Sequence, residues 1–388
     1  MIHSPTNKSG EVHALKFHGK ASSFFIICLI NAFLSLITLG IFLPWALVRC
    51  RRYIYENMEL HGTRFGYHAK GRDIFISWFA ITVIISILGF IESLSDHAGE
   101  MASTPWVLIL VMPCMMVKSL SYHATMTTLN NVRFGFQCSM LRAWCVLVGI
   151  PLVTLVVFSI VFIGYSNLMG PPSGVNSLIA RVICGVVVGM VAFCAINGII
   201  YRHWITLLAN NFKFGIHSFD VNIKTSKCVI ISLISMAILI PFMIVIIKMF
   251  MSLMDQYGLF GLLSGHTGAF ALSYLLYFIA IVLSSAYAFS ALRNYTFNNL
   301  MLAKSIRFHS SLTFVGTALN LLLLFVVSSL TLGLAYPWAK IRLLRYQVEH
   351  TTVIGDLDEL DLTNDDQPLD MGIFARISRG TATALPFM

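Results

Sequence analysis

Eight apolar runs, each about as long as a bilayer is thick, constrain this chain more than any other feature. They cover residues 22–47, 74–94, 104–125, 142–164, 178–201, 228–254, 268–292 and 312–338. An α-helix rises ~1.5 Å per residue, so roughly 20 mainly apolar residues cross a hydrocarbon core of about 30 Å. Backbone N–H and C=O groups find no water there, and runs of this length satisfy them as helices. The expected fold class is therefore an all-α polytopic membrane protein with about eight transmembrane helices. Only 11% of the 388 residues are charged, against about 25% in soluble domains. The first run follows a polar, histidine-containing lead without an A-x-A-like cleavage site, and reads as a retained span. The third run is the weakest: Pro113 interrupts it and Lys118 arrives early. Lys118 either snorkels to the interface or lines a polar interior.

The basic residues collect in alternate connections. Arg49, Arg51, Arg52, Arg64, Lys70 and Arg72 follow the first run; Arg133 and Arg142 follow the third. Arg202, Lys213, Lys224 and Lys227 follow the fifth, and Arg293, Lys304 and Arg307 the seventh. The opposite connections are uncharged or acidic, as at Glu92, Asp96 and Glu100. The positive-inside rule makes the basic loops cytoplasmic. The net charge of +9 is thereby accounted for without a nucleic-acid partner, and the partner expected is the lipid bilayer, with an unknown small molecule or lipid as further ligand. The eight cysteines show no metal-ligand or redox spacing and read as small apolar fillers or reduced thiols. No phosphate-binding, hydrolase or metalloprotease motif is present. Neither a cofactor nor an enzymatic activity is expected.

One segment occurs twice. Thr38-Leu39-Gly40 leads through three residues to Pro44-Trp45-Ala46, then Arg49 and Arg52-Tyr53; Thr331-Leu332-Gly333 leads to Pro337-Trp338-Ala339, then Arg342 and Arg345-Tyr346. Such agreement reads as an internal duplication. A shorter basic–Phe pattern recurs at Lys16-Phe17, Arg64-Phe65-Gly66, Arg133-Phe134-Gly135, Lys213-Phe214-Gly215 and Arg307-Phe308. Turn residues precede three of these, at His61-Gly62, Asn130-Asn131 and Asn210-Asn211. The pattern suits either short paired strands forming a cytoplasmic sheet or generic interfacial anchors. If all eight runs cross, both termini lie outside and the two long motifs run in opposite directions, the parity of an inverted repeat. If the first and last runs re-enter, all five short motifs and both termini lie inside. The expected organisation is an N-terminal segment 1–20, a membrane domain 21–348 and an acidic C-terminal tail 349–388 that is mobile or docks on basic loops.

Several residues are candidates for more than packing. A proline lacks its N–H and disfavours helix before it, so Gly40–Pro44 and Gly333–Pro337 should break their helices. They are helix stops with Trp45 and Trp338 at headgroup level and Arg49 and Arg342 beyond, or broken helices lining a cavity. Asn31, Asn197 and Asn320 lie within apolar runs as helix-to-helix bonds or ligand contacts. His203 stands at a cytoplasmic span end, where it could titrate. Gly185 and Gly189 are spaced as a close helix-packing face.

The pattern TLG-x3-PWA-x2-R-x2-RY, followed by a glycine and a basic–Phe strand, resembles the YjgN-like family of bacterial inner-membrane proteins. Thr38–His68 carries the resemblance best and Arg307–Gly355 carries it again. It implies a multi-pass protein of a Gram-negative inner membrane and brings no established activity or site. One departure is His350, where the first copy has Asn57. Two functions stay open: a transporter or channel-like protein, marked by a polar cavity reaching Asn31, Asn320 or Lys118, or a structural, lipid-interacting or envelope-assembly protein, marked by a lateral groove with a basic rim.

Overall fold

The computed structural model describes residues 10–94, 104–170, 174–265, 267–357, 363 and 370–381. Its frame is an alternation of β-hairpins and helical hairpins. β1 (Val12–Ala14) and β2 (Lys16–Phe17) lead into α1 (Ala21–Ile37) and α2 (Leu43–Glu56). β3 (Met58–Leu60) and β4 (Thr63–Tyr67) precede α3 (Gly71–Ser93) and α4 (Thr104–Thr125). β5 (Thr127–Leu129) and β6 (Val132–Phe136) precede α5 (Met140–Trp144), a π-helical turn (Cys145–Gly149), α6 (Ile150–Leu168) and α7 (Val175–Asn211). β7 (Phe212–Phe214) and β8 (His217–Val221) precede α8 (Thr225–Gly265) and α9 (Thr267–Asn298). β9 (Leu300–Leu302) and β10 (Ile306–Ser310) precede α10 (Phe314–Leu330), α11 (Tyr336–Glu349), β11 (Thr351–Ile354) and α12 (Ile373–Ser378).

The strands form one antiparallel sheet in the order β1-β11-β10-β9-β8-β7-β6-β5-β4-β3-β2. Its two ends are a single extended run. Val12 pairs with Ile354, Phe17 pairs with Met58, and between them the Leu15 N–H bonds to the Thr351 carbonyl at 3.2 Å. The sheet therefore closes into a ring and keeps no unpaired edge that could recruit another chain. Of the two readings of the basic–Phe pattern, paired strands is the one the fold adopts. Local chemistry explains the tight turns: His61 and Gly62, and Asn130 and Asn131, have positive φ, as a two-residue type I′ hairpin requires, and Ala303 and Lys304 have positive φ in a three-residue loop between Leu302 and Ile306. Alternation explains the composition. In β4, β6 and β10, Arg64, Arg133 and Arg307 point outward and are exposed, while Phe65, Phe134 and Phe308 turn toward the ring interior. The third hairpin corrects the sequence alignment. Lys213-Phe214 lies in the first strand, Ser218-Phe219 occupies the position of the basic–Phe pair, and Asn210-Asn211 ends α7 instead of making the turn.

Among the described residues, six helical segments are long and apolar enough to cross a membrane: Gly71–Ser93, Trp106–Thr125, Met140–Leu168, Cys184–Asn211, Thr225–Gln256 and Gly268–Asn298. The expected eight are not reached, because the first and last runs break into α1–α2 and α10–α11. Each of these pairs leaves the sheet and returns to it, since β2 and β3 are neighbours and β10 and β11 are neighbours. The two TLG-x3-PWA segments consequently run in the same sense, and the inverted-repeat parity does not hold. Both chain ends that the strands define lie on the sheet side, where the basic loops also lie.

The break is made by the Thr-Leu-Gly turn rather than by the proline. Leu39 and Gly40 have φ of 49° and 89°, and Leu332 and Gly333 have 50° and 87°. The Gly40 N–H reaches back to Ser35 O at 2.7 Å, and the Gly333 N–H to Ser328 O at 2.6 Å, a Schellman-type closure. Thr38 and Thr331 donate to Leu34 O and Val327 O, and their hydroxyls accept from Phe42 N and Ala335 N. Pro44 and Pro337 then stand in the first turn of the returning helices, where a missing N–H costs nothing.

A tyrosine in each of four returning helices clamps the start of an outgoing one. The Tyr53 hydroxyl accepts from Lys20 N–H and donates to Lys20 O, both at 2.8 Å. Tyr346 accepts from Thr313 N–H (3.0 Å), Tyr295 from Lys224 N–H (2.9 Å) and Tyr122 from Lys70 N–H (3.4 Å). Arginines bind the neighbouring strand-to-helix loops: Arg52 to Tyr67 O and Ala69 O, Arg345 to Gly19 O, Arg202 to Ile223 O. The RY pair of the long motif thus ties each hairpin to the ring.

Helix packing departs from the expected Gly185–Gly189 face. A Cβ at Gly189 would meet nothing within 4 Å, and one at Gly185 would make ordinary contact with Tyr165 at 3.5 Å. The close approach is one helical stretch further on, at Gly198, where a Cβ would lie 2.7 Å from the Val229 backbone. The tail docks in part. α12 packs between α3 and α4, with Ser77 donating to Ile377 O and Trp78 Nε1 donating to Gly380 O at 2.9 Å. Most of the acidic stretch ahead of Asp370 lies outside the described residues.

Candidate lipid-facing site

The two short hairpins are neighbours around the ring, and α1 lies beside α11. Their tips are apolar and bare: Leu39 is 93% and Leu332 94% exposed, flanked by exposed Leu36, Ile37, Ile41, Leu330 and Leu334. Exposure of this kind is expensive in water and favourable in a bilayer. A Cβ on Gly71, the first residue of α3, would fall 2.9 Å from the Trp45 Cα, so the returning helix packs closely on the sheet end of α3. Trp45 also stacks on Phe42 and packs on Phe75.

Between α1 and α11 runs a lateral groove of about 740 Å³, lined by Lys20, Ser22, Phe25, Ile26, Trp338 and Arg345, among others. Lys20 and Arg345 stand at the ring end. Trp338 lies seven residues earlier on α11, about 10 Å nearer the tip. The groove is therefore cationic at the ring end and apolar toward the hairpin tips. Arg342 sits over the Trp338 ring at 6.0 Å, and Arg49 over Phe42 at 5.4 Å. Arg342 and Arg49 are exposed.

The remaining candidates separate. Asn31 is buried and joins the first hairpin internally, with Nδ2 donating to Ala46 O at 3.3 Å and to Cys50 Sγ at 3.5 Å. Among the described residues, Asn320 bonds within its own helix, to Gly316 O, and Asn197 likewise to Phe193 O. Asn31 and Asn320 thus do not play matching parts. Lys118 pairs with Asp370 of the tail at 2.5 Å, and both line a polar cavity. His203 is half-buried on α7, away from the groove lining. Gly40, Pro44, Gly333 and Pro337 shape the hairpin turns.

A buried polar cluster lies at the foot of the ring. The Tyr67 hydroxyl meets His123 Nδ1 at 2.8 Å, and Arg51 Nη1 lies 3.4 Å from the same hydroxyl. Tyr67 is 1% and His123 2% exposed; burial pushes the Tyr67 phenol up, and Arg51 opposes that rise. Next to it, Arg379 pairs with Asp73 at 3.1 Å and lies over Tyr122 at 4.8 Å. The signal available in sequence was Tyr-His at the end of a span, which interface placement also explains. Among the described residues no group of three metal-ligating side chains is assembled. Every cysteine is free; Cys28 and Cys50 approach to 3.9 Å between sulfurs.

A helical bundle of six membrane-length spans with a basic strand ring on one face defines a polytopic helical membrane protein. The chain belongs to the family described as "Bacterial protein of unknown function (DUF898)", whose pattern matches residues 12–369. It is 40% identical over 395 residues to the Inner membrane protein YjgN of Salmonella typhimurium, covering 99% of both chains. It is 34% identical over 397 residues to the Inner membrane protein YjgN of Escherichia coli K12, covering 97% of both. The inner membrane is accordingly its location. No solved structure matches.

Proposed function

We propose that this protein is a non-catalytic, lipid-engaging component of the inner membrane, and that the α1–α11 groove seats an anionic phospholipid from the cytoplasmic leaflet. The observation that carries this reading is the polarity of the groove: Lys20 and Arg345 at one end, Ile26 and Trp338 toward the other. A phosphate between two cations gains charge-assisted hydrogen bonds, while the acyl chains continue along surface that is already apolar. The bare tips at Leu39 and Leu332 support the same reading by holding both hairpins in the leaflet. The test is native mass spectrometry of protein extracted from bilayers of phosphatidylglycerol and phosphatidylethanolamine. Retention should favour phosphatidylglycerol and lose that preference in Lys20→Gln with Arg345→Gln. Equal retention of both lipids by the unaltered protein would remove the proposal.

A transporter reading draws support from one different observation, a polar cavity of about 440 Å³ beside Lys118, Tyr122, Arg133, Asp370 and Arg379. It reaches Lys118 but neither Asn31 nor Asn320. Lys118→Met that folds and leaves every measured flux unchanged would exclude a pathway role for this lysine.

A further inference from the structure

We infer that the lumen of the strand ring is a second binding site, for a compact monocarboxylate with an apolar body of the medium-chain aliphatic or aromatic class. The ring does not fill itself. It encloses a cavity of about 170 Å³ whose walls include Leu60, Phe65, Phe134, Phe214, Leu302 and Phe308. A cavity of about 150 Å³ with similar walls stays free of water and accepts a benzene-sized guest. The lumen therefore suits an apolar body of roughly six to eight carbons and is too small for a phospholipid.

One charge faces this space. Arg293, in the last turns of α9, is the ionisable side chain of the lining. Its guanidinium lies over the Phe297 ring at 4.7 Å, with Nη1 donating to Gln347 O and Nη2 to Thr351 Oγ1, both at 3.2 Å. Those two bonds use two of five N–H groups. Among the described residues no carboxylate pairs with it. The polar atoms nearby are already committed: Thr351 Oγ1 donates to Gln347 O at 2.8 Å and Thr127 Oγ1 to His123 O at 2.9 Å. A half-buried cation in an apolar chamber without a counter-ion is unfavourable. An anion that enters with its own apolar body offsets that cost and fills the void in one step. A guanidinium offers a carboxylate two parallel hydrogen bonds, which selects an acid over an alcohol of the same size. The lumen shares no residue with the α1–α11 groove, so the inference stands independently of the phospholipid reading.

The test measures binding of octanoate, octanol and octylammonium to the protein in phosphatidylcholine nanodiscs at pH 8, with empty nanodiscs subtracted. Octanoate should bind at least tenfold more tightly than octanol, and octylammonium more weakly than either. Arg293→Gln should bring octanoate and octanol to equal affinity. Leu302→Phe, which narrows the lumen and leaves the arginine in place, should weaken all octyl compounds together. The inference is overturned if the unaltered protein does not prefer octanoate, if the preference survives Arg293→Gln, or if Leu302→Phe leaves octanoate binding unchanged. Should Arg293→Gln fail to fold, Leu302→Phe and the ligand series in the unaltered protein decide the question alone.

Discussion

Two glycines on α7, nine positions apart, should respond oppositely to the same substitution. At Gly198 the backbones of α7 and α8 approach so closely that a methyl would sit 2.6 Å from Val229 Cγ2 and 2.7 Å from its Cα and N. Two of those three atoms are backbone, so no rotamer change relieves the clash and the helices must separate by about 1 Å. Overpacking of this kind costs about 1–3 kcal/mol, and backbone crowding argues for the upper half of that range. The gain in helix propensity on replacing glycine returns at most about 1 kcal/mol. At Gly189 the same methyl meets nothing within 4 Å, so only the propensity gain applies. Gly198→Ala should therefore be less stable than Gly189→Ala by about 2 kcal/mol. Reversible unfolding in mixed micelles, titrated with dodecyl sulfate and followed by far-ultraviolet circular dichroism, measures the difference. Both variants have the same composition and the same membrane-insertion energy to a first approximation, which removes the commonest confounder. If Gly198→Ala is as stable as Gly189→Ala, the interhelix contact is not where the argument requires it.

Two further outcomes follow from titrating groups outside the spans. The hydrogen bond shared with Cys28 lowers the Cys50 thiol, against the opposing effect of burial. Cys28→Ala should therefore raise the pH midpoint for alkylation of Cys50; an unmoved midpoint rules out the pairing. The Lys118 hydrogen bond, with the Gly372 N–H, holds the Asp370 carboxyl below its usual range. A depressed carboxylate contributes fully above its unfolded pKa and loses that contribution as pH falls through the folded value. Tail docking should thus be constant across neutral pH and weaken only in acid, at a pH below about 4. Fluorescence of Trp78, whose Nε1 donates to Gly380 O of the docked tail, reports it across this range, and Asp370→Asn should give the acid signal at neutral pH.

The membrane class, the number of long spans to within two and the basic face were legible in sequence because each depends on local composition. Burial in lipid asks only that a stretch be apolar, and sidedness asks only where lysine and arginine fall. The turn at Thr-Leu-Gly was visible as a helix break, although its cause was assigned to Pro44 and Pro337 rather than to the positive φ at Leu39 and Gly40. The candidate site was less legible. Lys20 and Arg345 are 325 positions apart by residue number and become neighbours only because α1 and α11 flank the closing strands.

Tertiary structure alone decided whether the first and last runs cross, and the reason is strand pairing. Val12 meets Ile354 and Phe17 meets Met58, so the chain on either side of each short hairpin is held at one level, and neither run can end on the far side. Hydropathy is blind to that constraint, because an apolar hairpin and an apolar span have the same composition. The same closure turns three basic–Phe patterns, Arg64-Phe65, Arg133-Phe134 and Arg307-Phe308, into ring strands with arginines outside and phenylalanines inside, and leaves Arg293 facing the space that the phenylalanines enclose.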